Sequence, residues 1–138
     1  MKITREWLTE QDAKCAVNEF SREYPNGVEL TTDNVKTALN HWDWTWLASK
    51  VLPKPYADLF VSRAKPHFDA CDMATMPHVI AMMNAIQEFS KLAPHDAWRA
   101  SAPHREAYLL AVDPHERARD AATKAEFIRT ATEAGVLS

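Results

Sequence analysis

Only two glycines, Gly27 and Gly135, occur among 138 residues. Glycine supplies the positive φ angles of tight hairpin turns and lets a backbone close around a phosphate. A chain with two of them has little means of building an all-β fold, a P-loop or a Gly-rich dinucleotide turn. Alanine, the best helix former, is abundant instead. The expectation is an all-α protein.

A chain of this length lies within the usual size of one domain and can bury a core. Its 46% hydrophobic and 25% charged residues exclude a disordered or collagen-like chain. The formal net charge is −3, with mixed signs throughout: six basic and eight acidic side chains in the first fifty residues, five and six in the last thirty-eight. No basic stripe is present to grip phosphates, so a nucleic-acid partner is not expected, and the negative excess is too small for a nucleic-acid mimic. Cys15 and Cys71 stand far apart and read as reduced, buried thiols of a cytosolic protein. No stretch approaches the roughly eighteen apolar residues of a membrane span. The opening Met1-Lys2-Ile3-Thr4-Arg5-Glu6-Trp7 has no apolar run and reads as no signal peptide, so the expected place is the cytoplasm.

Start and stop signals divide the chain. Thr4 is placed to cap a first helix carrying Trp7 and Leu8, and Asp12 to cap a second that runs to about Tyr24. Ala13, Ala16, Val17, Phe20 and Tyr24 fall on one helical stripe. Pro25-Asn26-Gly27 ends it as a turn, with a short extended stretch at 28–30. Thr31 or Thr32 caps the next helix, with Val35, Ala38, Leu39 and Trp42 on one face. Asp43 restarts the chain, and Trp44, Leu47, Ala48 and Val51 form a rotated stripe. Pro53 stops that helix and Pro55 opens another, with Tyr56, Leu59, Phe60 and Ala64 inward and a kink or break at Pro66. Pro77 then begins a central core helix to about Leu92, with Val79, Met82, Met83, Ile86, Phe89 and Ala93 inward.

Beyond Leu92, Ala93-Pro94-His95, Ala102-Pro103-His104 and Asp113-Pro114-His115 recur at spacings of nine and eleven. Eleven residues make three helical turns and keep one face forward. Asp113-Pro114-His115-Glu116 also reads as a capping box, and Gly135 as a C-terminal cap. The expected architecture is one domain over 1–138: a compact multi-helix bundle at 1–92, then a Pro-punctuated helical arm at 93–138.

Candidate chemistry is sparse. His67, His78, His95, His104 and His115 each follow a proline, leaving His41 outside the pattern. Imidazole is a common metal ligand, yet ligand pairs on a helix sit three or four residues apart, and only His67 with Cys71, beside Asp72, does so. The plainer reading is that each proline starts a helix and each histidine sits in its exposed first turn, so no metal and no cofactor is expected. No nucleophile elbow or His-Glu-x-x-His motif occurs, and Glu116, Asp120, Glu126 and Glu133 alternate with Arg117, Arg119 and Arg129 as on a solvated helix face. No catalytic residues and no enzyme activity are expected. Trp42, Trp44 and Trp46 suit core packing at a helix corner, with a part in a protein interface, where tryptophan is a favoured anchor. Met73 and Met76 flank the Pro77 turn and join them as interface candidates, together with Trp98 and Tyr108 in the arm.

The start Lys2-Ile3-Thr4-x-x-Trp7-Leu8, with Ala13-Lys14-Cys15, is similar to a group of small helical phage and prophage proteins of unknown function. Members of that group continue to a Trp-rich segment like 42–47 and end in alanine-rich eleven-residue repeats, as at Ala93-Pro94, Ala102-Pro103 and Ala107-Tyr108. Lys14 interrupts the usual Ala-Cys pair. The resemblance implies a mobile-element origin in a bacterial host and transfers no active-site residue. It makes the leading expectation a non-enzymatic binder of a host protein or defence complex, an anti-CRISPR-like inhibitor acting sterically. The alternatives are a structural or assembly protein whose arm self-associates into a homo-oligomer, and a small DNA-binding regulator using 32–52 as a helix-turn-helix.

Overall fold

The computed structural model describes residues 1–38 and 42–138. The protein is all-α, with six helices and one two-stranded ribbon among the described residues. In chain order these are β1 (Lys2–Ile3), α1 (Arg5–Glu10), α2 (Lys14–Glu23), β2 (Val28–Glu29), α3 (Thr32–Ala38), α4 (Trp44–Val51), α5 (Lys54–Gln87) and α6 (Pro94–Glu133). The expected Leu39 and His41 lie outside the described residues. Two compact units result: Met1–Arg63 with Thr123–Ser138, and Ala64–Ala122. They cut across the division at Leu92 drawn from the sequence, because each long helix contributes one stretch to each unit.

The first unit holds the core. Thr4 caps α1 through its Oγ1, which accepts from the Trp7 N–H at 3.2 Å. Thr31 does the same for α3 at the Asn34 N–H, and Asp43 for α4 at the Trp46 N–H. Asp12 is no cap, contrary to expectation. It sits at φ 59, where its N–H bonds the Thr9 carbonyl and the Ala13 N–H bonds that of Leu8. That pattern is the left-handed stop of α1, a conformation aspartate tolerates better than most residues. Gly135 stops α6 in the same way, at φ 72.

Ile3, Leu8, Val17, Phe20, Val28, Leu30, Val35, Trp44, Leu47, Phe60 and Phe127 make up the buried interior. Phe127 is its hub, with ring centroids 5.3 Å from Trp44 and 6.2 Å from Phe60. Antiparallel β1 and β2 pair Lys2 with Glu29 and Ile3 with Val28. Gly27 leads into β2 at φ 75, and a Cβ there would stand 2.6 Å from the Ile3 carbonyl oxygen. Arg63 on α5 clamps the end of α6, donating to the Thr130 hydroxyl at 3.0 Å and to both Glu133 oxygens at 2.8 and 3.3 Å. The bidentate hold keeps the Glu133 carboxyl below its usual range, chiefly through the Arg63 hydrogen bond.

The second unit is a helical hairpin whose seam is thin. Only Ala64, Cys71, Ser101 and Val112 are buried in it. Contacts of Arg119 over Phe68, His78 against His115 and Phe89 against His104 set 64–87 antiparallel to 94–122. Prolines do not punctuate it as expected. Pro66 and Pro77 lie inside α5, Pro103 and Pro114 inside α6, and only Pro94 starts a helix. The Asp113 capping box is likewise absent, because Asp113 is a mid-helix residue paired with Arg117 at 2.8 Å. The helix at 77–92 is not central either: it is the end of α5, which stops at Gln87, with Met83 63% and Ile80 51% exposed.

All four internal prolines are exposed, so the carbonyl each leaves without a donor, four residues back, faces water. A Pro-His-x-x-Ala unit repeats at 66, 77, 103 and 114, eleven residues apart within each helix. Pro and Ala occupy the outer face, and the histidines at 67, 78, 104 and 115 are half-buried toward the seam. The eleven-residue period therefore runs through α5 as well as α6, and it marks a face and not a series of helix starts.

Two predictions follow from this backbone. Gly135→Ala should cost about 1–2 kcal/mol for the left-handed φ alone, whereas Gly27→Ala should cost clearly more, since the Ile3 carbonyl must also move; equal losses in urea titrations would contradict this reading. Replacing Pro66 or Pro114 by alanine should stabilise the hairpin by about 1–3 kcal/mol, seen as slower amide exchange across 64–122.

Candidate functional site

A cleft of about 980 Å³ opens in the first unit, lined by side chains of α1, α2, α3, the segment before α4, and α4 itself. Its wall is aromatic because of helical geometry. Asp43, as N-cap, starts α4 at Trp44, and residues two apart on a helix point roughly 200° apart. Trp44 therefore enters the core at 3% exposure, while Trp46 faces the cleft half-buried. Trp42 precedes the helix and yet lines the same cleft, edge-on to Phe20 at 5.7 Å. Trp7 backs Trp46 in an edge-to-face contact at 6.0 Å, and Tyr24 leans on Phe20 at 5.3 Å. Along the α2 stripe read from the sequence, Val17 is buried in the core, Phe20 is buried at the cleft floor, and Ala13, Ala16 and Tyr24 line the cleft beside it.

The rim is acidic. Among the described residues, Asp12, Glu19, Glu23 and Asp43 line the cleft against one basic residue, Lys14. Lys14 pairs with Asp12 at 3.4 Å, with both side chains over four-fifths exposed, so the pair is worth little. The Tyr24 hydroxyl donates to Glu23 Oε1 at 2.9 Å; burial, then that neighbour, raises the phenol above its usual range. Indole and phenol faces beside carboxylates attract organic cations and repel phosphates.

The other interface candidates lie elsewhere. Trp44 offers no ring to a partner, since it packs on Phe127 with the Lys124 ammonium 5.9 Å from its ring centroid. Lys124 also donates to the Lys36 carbonyl in the last turn of α3 at 2.7 Å, and burial lowers its pKa. Met73 and Met76 are 78% and 53% exposed on the second unit. Trp98 is 61% exposed, but the Arg105 guanidinium stacks 3.3 Å from its ring centroid. Tyr108 is half-buried.

Among the described residues no group of three or more His, Cys, Asp or Glu could hold a metal ion. Cys71 beside His67 is buried, as expected, while Cys15 is exposed on the cleft wall, contrary to expectation. Sequence reasoning missed the acidic rim. Its members are scattered over 12–43, and only folding collects them.

A thiol probe added to the native protein should label Cys15 rapidly and Cys71 only after unfolding. The same label should perturb tryptophan fluorescence through Trp42 and Trp46. Unchanged emission after complete Cys15 labelling would contradict this cleft.

No helix among the described residues is long and apolar enough to cross a membrane. Compared with known proteins, the chain matches no family model, no curated protein and no solved structure.

Proposed function

We propose that this protein is a non-enzymatic protein-binding module whose aromatic cleft takes up a basic segment of a partner protein. The observation that carries this reading is the union of Phe20, Tyr24, Trp42 and Trp46 with four acidic side chains around one cleft. A lysine or arginine over an indole face gains about 0.5–2 kcal/mol as it is desolvated. The carboxylates add steering at long range. Tryptophan and tyrosine also dominate the energetics of protein interfaces in general.

The choice of partner rests on the resemblance to phage proteins. It points to a bacterial defence complex, and such complexes bind nucleic acid through basic grooves that an acid-rimmed cleft complements. Inhibition would then be steric, by occupation of a groove that the nucleic acid needs. This reading places the protein in the cytoplasm of a bacterial host.

Binding to purified defence complexes, measured calorimetrically, should weaken about tenfold or more for Trp42→Ala and for Trp46→Ala, a loss of about 1.4 kcal/mol each. It should also weaken with added salt, as exposed charge pairs do. Full-strength binding by both variants removes the cleft from the interface, and failure to bind any complex in a broad panel removes the proposed partner.

A further inference from the structure

The fifteen residues from 73 to 87 contain no Asp, Glu, Lys or Arg, in a chain that is 25% charged. They are helical throughout, so the lack of charge is concentrated on one length of α5. Half of that length faces the hairpin seam, where Ala74, His78, Val79, Met82, Ala85 and Ile86 are half-buried. The other half faces outward and is still apolar: Met73 is 78% exposed, Met76 53%, Ile80 51% and Met83 63%. The order 73, 76, 80, 83 is the i, i+3, i+7, i+10 spacing of a coiled-coil seam, which in this unit has no helix against it. Met73, Met76, Pro77 and Ile80, with Asp72 at the edge, line a shallow apolar groove.

We propose that this outer face of α5 pairs with the same face of a second copy, antiparallel about a two-fold axis near His78. The stripe is self-complementary under that operation. Met73 meets Met83 of the second copy, and Met76 meets Ile80, each an a-position facing a d-position as antiparallel helices require. The flanks match as well. Asp72 comes opposite Asn84, whose amide can donate to it, and Asp69 opposite Gln87. A parallel pairing would instead set Asp72 against Asp72 and leave both carboxylates beside apolar surface, a cost like that of burying any unpaired charge. An uncharged stripe also offers nothing to the basic segment proposed for the cleft, so the two surfaces do not compete for one partner. Methionine, which adapts its shape to a partner, suits a reversible contact. Two such stripes bury on the order of 1,000 Å² in total, the low end for specific association. The dimer is accordingly weak and concentration-dependent.

Sedimentation equilibrium of the full chain should give monomer at low micromolar and dimer toward millimolar concentration. Ile80→Glu should raise the dissociation constant at least tenfold while helical circular dichroism stays unchanged, since the side chain is half exposed in the monomer. Orientation is read in a Cys15→Ser background. A mixture of Met73→Cys and Met83→Cys chains should form the mixed disulfide, and neither chain alone should cross-link. A chain that stays monomeric at millimolar concentration overturns the proposal, whether the face then proves to take lipid vesicles or another protein's helix. Homodisulfides of Met73→Cys alone also overturn it, because they require the parallel arrangement.

Discussion

Phe127 carries the first unit. Its ring sits between Trp44 and Phe60, so the consecutive helices α4 and α5 meet the distant α6 at one fully buried side chain. Arg63 and Glu133 lock the helix that delivers Phe127, and Lys124 reaches from one turn earlier to a carbonyl of α3. With Trp44 committed to Phe127, the next cleft-facing position on α4 is Trp46. The cleft is therefore a by-product of how the core is filled.

The hairpin obeys different physics. It buries few side chains and carries a proline inside each helix every three turns. Such helices survive because each proline lies on the water side, where an unmatched carbonyl is solvated at small cost. The histidines that follow turn toward the partner helix, and His78 and His115 stack with centroids 6.4 Å apart. Its seam buries only Ala64, Cys71, Ser101 and Val112, and few buried apolar contacts are the mark of a region that opens easily.

Each unit leaves a different kind of surface uncovered. The first leaves aromatic faces edged with carboxylates, and the second leaves an uncharged methionine stripe. The two surfaces differ in chemistry: one sets carboxylates beside aromatic rings, and the other carries no Asp, Glu, Lys or Arg from 73 to 87.

Much of this was legible in the sequence. Two glycines and abundant alanine determined an all-α chain, and Thr4, Thr31, Asp43, Pro53 and Gly135 marked helix ends where the structure has them. These are local effects, each a hydrogen bond or a φ angle set within four residues. Asp12 was misread because its left-handed stop depends on the preceding helix and not on its own capping side chain. The prolines were misread because each lies on the exposed face of its helix, where the carbonyl it leaves without a donor is solvated, a placement that only the folded hairpin decides. The cleft was not legible: Trp42, Trp44 and Trp46 read as core packing with a part in a protein interface, and Trp44 is taken into the core by Phe127, eighty-one residues away from Trp46. Sequence determined the helices and their chemistry; tertiary packing decided which faces were left for function, because burial is allotted by the partner across the core.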